Sequence, residues 1–125
     1  PQYQPGREKA TRMELRSPDP ACNPYLCFAV ILAAGLEGVE NGYPLPEPSE
    51  ENVYELKVEE GAKKGIKTLP GSLAEAIEIA EGSKVLKKAL GDHVFDSFIR
   101  NKKMEWDLYR TQVTDFELKR YLPLL

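Results

Sequence analysis

Three ionic side chains alternate near the start of the chain, at Arg12, Glu14 and Arg16. Alternate residues of an extended strand project to the same face, about 7 Å apart. A guanidinium presents a planar fork of donors that suits phosphate and carboxylate, and a carboxylate is the ligand that a hard cation such as Mg²⁺ prefers. The pattern therefore fits a site for a metal ion and phosphate oxygens. It fits more simply an exposed row of ion pairs, which are common on protein surfaces and contribute little.

The element that must position these side chains is a predicted β-strand over residues 11–16. Pro18 and Pro20 end it, since each proline disfavours helix for the residue before it. A single strand cannot satisfy its own backbone hydrogen-bonding groups. Its partner must come from a missing N-terminal part, from another chain, or from a strand that the pattern does not reveal.

Helices are predicted for most of the remaining chain. Asn23 as N-cap, Pro24 as first helical residue and Gly42 as C-cap bound a helix over residues 24–41. Its first half is apolar on every side, which predicts a place at the centre of the core. Capping signals and apolar spacing predict further helices over about residues 73–81, 83–90, 92–110 and 115–122. The predicted class is mainly α, with four to six helices and one N-terminal strand.

Composition limits the function classes. A chain of 125 residues with 42% hydrophobic and 30% charged residues is typical of one soluble globular domain. Its net charge of −3 argues against a general nucleic-acid binder. The apolar run at residues 25–36 is too short to cross a bilayer, and from the sequence we expect no signal peptide.

The two cysteines, Cys22 and Cys27, lie five positions apart, and His93 is the single histidine. A metal site would need more ligands nearby, so we expect two reduced, mostly buried thiols and a cytoplasmic protein. The chain begins at Pro1 rather than at methionine, from which we expect a segment of a longer protein.

Several segments, taken together and in order, resemble the C-terminal part of the glutamine synthetase catalytic domain, type I and prokaryotic. They are Arg12-Met13-Glu14-Leu15-Arg16-Ser17-Pro18-Asp19-Pro20, Asn23-Pro24-Tyr25-Leu26, Leu32-Ala33-Ala34-Gly35-Leu36-Glu37-Gly38, Glu51-Asn52-Val53-Tyr54-Glu55-Leu56, Leu69-Pro70-Gly71-Ser72-Leu73-Ala74-Glu75-Ala76 and Glu105-Trp106-Asp107-Leu108-Tyr109-Arg110-Thr111-Gln112-Val113-Thr114. The resemblance covers nearly the whole chain. It implies that residues 1–125 are the C-terminal portion of an α+β catalytic domain whose N-terminal β-grasp domain and most of whose active-site barrel are absent.

The resemblance implies a ligase that joins glutamate and ammonia at the expense of ATP through γ-glutamyl phosphate, with two or three Mg²⁺ or Mn²⁺ ions. Glu14 matches a metal-ligating glutamate. Arg16 matches a catalytic arginine that contacts the transferred phosphoryl group and the substrate carboxylate. Arg12 matches an arginine that faces the nucleotide, and Lys9 a lysine near the ATP phosphates. Tyr54 matches a tyrosine that is adenylylated in one bacterial subgroup, although the tail of this chain resembles a different subgroup, which favours an unmodified role.

The resemblance also implies partners. These are the rest of the synthetase chain, further copies in a homo-oligomer (a dodecamer in type I enzymes), and ATP, glutamate and ammonia, with no nucleic acid and no membrane. One glutamate cannot hold a Mg²⁺ ion by itself, so we expect the isolated chain to be inactive and without a tightly bound metal. Two alternatives remain open: a fragment of a related ligase that couples γ-glutamyl groups to other amines, and a non-catalytic helical interaction domain.

Overall fold

A computed structural model describes residues 5–49, 52–53, 55–56 and 58–124 of the chain. Its α-helices are α1 (Pro24–Asn41), α2 (Val58–Lys63), α3 (Leu73–Glu81), α4 (Lys84–Arg110) and α5 (Asp115–Tyr121). Short 3-10 helices lie at Glu8–Ala10 and Leu122–Leu124. The prediction of a mainly α chain with four to six helices is confirmed for the described residues.

The predicted strand over residues 11–16 is wrong, because the described part of the chain contains no β-strand at all. Thr11 has an extended backbone (φ −70°, ψ 117°), but the residues after it carry no sheet hydrogen bonds. A strand exists only through its ladder to a neighbour, and no described segment lies beside this one. The residues therefore remain a single irregular segment.

Local capping sets the helix ends. Asn23 Oδ1 accepts from the backbone N–H groups of Tyr25 and Leu26, at 3.0 and 3.3 Å, and Pro24 is the first residue of α1. Gly42 ends α1 in the left-handed conformation, at φ 61°. Both ends of this helix are where the sequence predicts them.

The later helices follow the same capping logic, with one difference at the start of α3. Thr114 and Glu117 form the complete reciprocal capping box at α5. At α3 the Ser72 hydroxyl accepts from the Glu75 N–H, but the Glu75 carboxylate accepts from the N–H of Gly71 rather than from that of Ser72. The two predicted helices over 83–90 and 92–110 are confirmed as the two helical segments of α4, because the backbone at Gly91 between them is non-helical (φ 72°, ψ 158°).

Helices α1 and α3 both pack against α4, whereas α5 contacts only the 3-10 helix that follows it among the described elements. The core of the described residues consists of three buried apolar side chains, Ile77, Phe95 and Ile99, each 6% exposed. None of them belongs to α1, so the prediction that this helix lies at the centre of the core is wrong. Tyr25 and Phe28 are 83% and 70% exposed.

The exposed area of the chain shows why α1 is not buried. The chain exposes 11549 Å², whereas a compact protein of its 14.1 kDa mass exposes about 6,700 Å². About 4,800 Å² of extra surface is thus accessible, and much of it is apolar. A helix that is apolar all round can be buried only if other segments surround it, and among the described elements α1 has a single neighbour, α4. In the described part of the chain, no helix combines the length and the hydrophobicity that crossing a membrane requires.

Candidate functional site

The segment that carries Arg12, Glu14 and Arg16 is held between two local structures. Before it, the Thr11 N–H donates to the Glu8 carbonyl at 3.1 Å and closes the first 3-10 helix. After it, Asp19 organises a turn, because its Oδ1 accepts from the Ala21 N–H at 2.7 Å. The turn leads directly into the N-cap of α1. The ionic segment is therefore tied to the start of a stable helix.

The three predicted side chains meet at Glu14. Arg12 Nη2 donates to Glu14 Oε1 at 2.5 Å, and Arg16 Nη2 donates to Glu14 Oε2 at 2.6 Å. Contacts between residues two apart require that these side chains share one side of the segment, as the alternation predicts. We call these three residues the ionic triad.

The triad is open to solvent, with the side chains of Arg12 and Arg16 60% and 84% exposed and that of Glu14 30% exposed. Hydrogen bonds from Arg16, and next from Arg12, lower the pKa of Glu14 below its ordinary value, and the positive charge of Arg16 adds to the effect. The carboxylate is therefore ionised at neutral pH, and the triad carries a net charge of +1.

This arrangement is suited to anions. Two guanidinium groups held about one carboxylate form a cationic surface with the planar donors that phosphate and carboxylate oxygens accept. Glu14 is a hard oxygen donor that would serve as one ligand of a divalent cation, once an arginine N–H leaves one of its oxygens. Further metal ligands are not near it, since the described residues contain no group of three or more His, Cys, Asp or Glu side chains able to hold a metal ion.

The other predicted site residues lie elsewhere. Lys9 is exposed in the 3-10 helix Glu8–Ala10 and takes no part in the contacts of the ionic triad. Tyr54 lies outside the described residues. The sequence pattern missed one contact that orients the triad: Arg12 Nη1 donates to the backbone carbonyl of Ala10 at 3.1 Å. No side-chain pattern signals such a contact, because the acceptor is main chain.

Comparison with known proteins bears on what this surface is for. The family model for the glutamine synthetase catalytic domain matches residues 2–121. The chain belongs to the glutamine synthetase family. It is 54% identical over 124 residues to the glutamine synthetase of Mycolicibacterium smegmatis, covering 99% of this chain and 28% of that protein.

Two other glutamine synthetases match this chain over a similar share of their length. The glutamine synthetase of Mycobacterium tuberculosis strain H37Rv is 52% identical over 99% of this chain, and that of Methanosarcina mazei is 50% identical over 95% of it. The chain spans 28% and 27% of those two glutamine synthetases, respectively. The predicted resemblance is thus confirmed, and the chain corresponds to a little over a quarter of its relatives' length.

Proposed function

We propose that the whole protein is a glutamate–ammonia ligase and that this chain supplies part of its phosphate-facing surface. The observation that carries the proposal is the ionic triad, which presents two guanidinium groups beside one ionised carboxylate within a glutamine synthetase catalytic domain. The similarity to glutamine synthetases supports ammonia, rather than another amine, as the nucleophile.

The reaction explains why such a surface is needed. The γ-carboxylate of glutamate attacks the γ-phosphorus of ATP, ADP leaves, and ammonia then displaces phosphate from γ-glutamyl phosphate to give glutamine. Both reactants of the first step are anionic, so fixed positive groups must lower their repulsion as they approach. Arg16 would hold the transferred phosphoryl group and the glutamate carboxylate, and Arg12 and Lys9 would face the nucleotide phosphates.

Glu14 would hold one of the Mg²⁺ or Mn²⁺ ions, which, when bound, neutralise charge on the nucleotide phosphates. Because the described residues form no group of ligands for this ion, its remaining ligands would come from other parts of the protein. We therefore propose that the isolated chain does not catalyse the reaction. Phosphate release in the presence of ATP, glutamate, ammonium and Mg²⁺ measures this directly, and turnover by the chain alone would contradict it.

The roles of the triad are tested in the full-length protein by steady-state kinetics. Arg16→Lys keeps the charge but removes the planar fork, and we expect kcat to fall about 10²-fold, as on loss of one preorganised donor. Glu14→Gln should raise the Mg²⁺ concentration for half-maximal activity by at least about tenfold, the lower end of what an outer-shell partner contributes.

A matched control exists outside the triad. Arg110 donates to Asp107 at 2.8 Å in an exposed ion pair of the same chemical type, at the end of α4. Arg110→Lys should leave kcat and the Mg²⁺ requirement within about twofold of the parent. Equal effects of Arg16→Lys and Arg110→Lys would show that the triad is only a solvated row of ion pairs.

We also propose that the whole protein is a cytoplasmic homo-oligomer, a dodecamer if it follows type I enzymes. The apolar surface of α5 supports self-association, because Phe116 is 70% and Tyr121 57% exposed on a helix that packs against no other described α-helix. Light scattering of the full-length protein measures the state. A monomer at micromolar concentration would refute this part of the proposal.

A further inference from the structure

The start of α1 brings two cysteines together. Asn23 is the N-cap, so Cys22 occupies the position before the cap and Cys27 the fourth position of the helix. The Cys27 N–H donates to the Asn23 carbonyl at 3.0 Å, which places it in the first helical turn. Side chains at these two positions characteristically pack against each other across a helix N-terminus. In most helices that contact is hydrophobic, and here both members are thiols.

The two thiols differ in their surroundings. Cys22 is exposed, Cys27 is half-buried, and neither is in a disulfide. Burial raises the pKa of the Cys27 thiol, and a hydrogen bond with the Cys22 thiol raises it further. The positions of the two residues on either side of the Asn23 cap bring the thiols to the same end of α1. The expectation of two mostly buried thiols is therefore wrong for Cys22, which is exposed, and only partly right for Cys27, which is half-buried.

We propose that Cys22 and Cys27 are a redox-modification site that closes to a reversible disulfide when a peroxide is the oxidant. Cys22 is the thiol that peroxide reaches, because it is exposed, and Cys27 is the resolving thiol. The site is independent of the ligase reaction, since no step below involves ATP, metal or the ionic triad.

The chemistry balances in two steps. The Cys22 thiolate, having released its proton to solvent, attacks one oxygen of hydrogen peroxide; the O–O bond breaks, and the departing hydroxide takes up a proton to become water. Cys22 is then a sulfenic acid. The Cys27 sulfur attacks the Cys22 sulfur, the S–O bond breaks, and the hydroxyl leaves as water with the proton of Cys27. Two thiols are oxidised, one peroxide is reduced to two waters, and a small dithiol reverses the change.

The test uses the full-length protein and peptide mass spectrometry. There is no lysine or arginine between Arg16 and Lys57, so trypsin releases both cysteines in one peptide, residues 17–57. After brief treatment with equimolar hydrogen peroxide, we expect this peptide to lose the mass of two hydrogen atoms and to regain it with dithiothreitol. We also expect the conversion to be faster in the native protein than in concentrated urea, because the folded helix start holds the thiols together.

Three variants separate this geometry from simple thiol reactivity. Cys27→Ser should leave a sulfenic acid at Cys22 that dimedone traps, and Cys22→Ser should react at least about tenfold more slowly, because Cys27 is half-buried with a raised pKa. Asn23→Ala should slow disulfide closure by about fivefold, the factor corresponding to the ~1 kcal/mol of a lost N-cap.

Four results would overturn the proposal. The first two are that the native protein does not react with peroxide at all, and that it gains oxygen at either cysteine without losing the two hydrogen atoms. The other two are that disulfide closure is equally fast in urea, and that the Cys22→Ser variant reacts at the parent rate.

Discussion

Phe95→Ala should destabilise the isolated chain far more than any other phenylalanine-to-alanine change in it. Phe95 is 6% exposed on α4, against Ile99 one turn later, and the Lys87 ammonium lies 5.7 Å from its ring centroid. Phe95, Ile99 and Ile77 are the buried apolar side chains of the described residues. Removing one of so few leaves little else to hold α3 and α4 together.

The size of the effect follows from burial and cavity formation. Truncating a buried phenylalanine to alanine costs about 3–5 kcal/mol, the sum of lost transfer free energy and the cavity left behind. The grooves on this chain are open, so neighbouring side chains can relax, and we expect the lower half of that range. Ile77→Val, which removes one methyl group from the same core, should cost about 1 kcal/mol.

Urea unfolding of the 125-residue chain, followed by far-UV circular dichroism, measures these changes in the free energy of unfolding. Phe116→Ala is the matched control, because Phe116 is 70% exposed on α5 and its loss should stay within about 0.5 kcal/mol. Equal shifts for Phe95→Ala and Phe116→Ala would mean that the packing of α3 on α4 does not stabilise the chain, and would refute the reasoning.

Three further outcomes are expected. Because Arg16 lowers the pKa of Glu14, the stability that this contact adds is present above the ordinary glutamate pKa and is lost as pH falls through the lowered pKa. Arg16→Gln should therefore move the titration of the Glu14 carboxyl group, followed by ¹³C NMR, to higher pH. An unchanged titration would contradict the contact. Gly91→Ala should lower the free energy of unfolding in urea by about 1–3 kcal/mol, because φ 72° with ψ 158° is strained for any residue that carries a side chain. Gly35→Ala should raise it by about 0.5–1 kcal/mol, because Gly35 lies in regular helix with open space around its Cβ position. The reverse order would exclude the break at Gly91. Thr114→Ala should destabilise α5 alone by about 1 kcal/mol, which amide hydrogen exchange would show as faster exchange in α5 and unchanged exchange in α4. Faster exchange in α4 as well would contradict the absence of packing between these two helices in the structure.

Interactions within a few residues were predictable from sequence. The cap at Asn23 and Pro24, the left-handed end at Gly42 and the box at Thr114 depend on side chains that reach their own backbone. The meeting of Arg12, Glu14 and Arg16 is of the same kind, because alternation alone brings side chains two apart to one side. The triad could therefore be predicted as a cluster. Its chemistry came from the resemblance, since the same geometry serves an exposed row of ion pairs.

Features that depend on distant segments were not predictable in this way. A strand needs a neighbouring strand, and residues 11–16 have none among the described residues. Their preference for an extended backbone was therefore not enough to form a strand. Burial of α1 needs neighbours on several sides, and α4 is the one helix that packs against it within the described segments. The sequence by itself determined where α1 and α3 begin and end and that Arg12, Glu14 and Arg16 meet, because those are contacts over a few residues. Only the tertiary structure decided what is buried, because burial depends on what packs against each face.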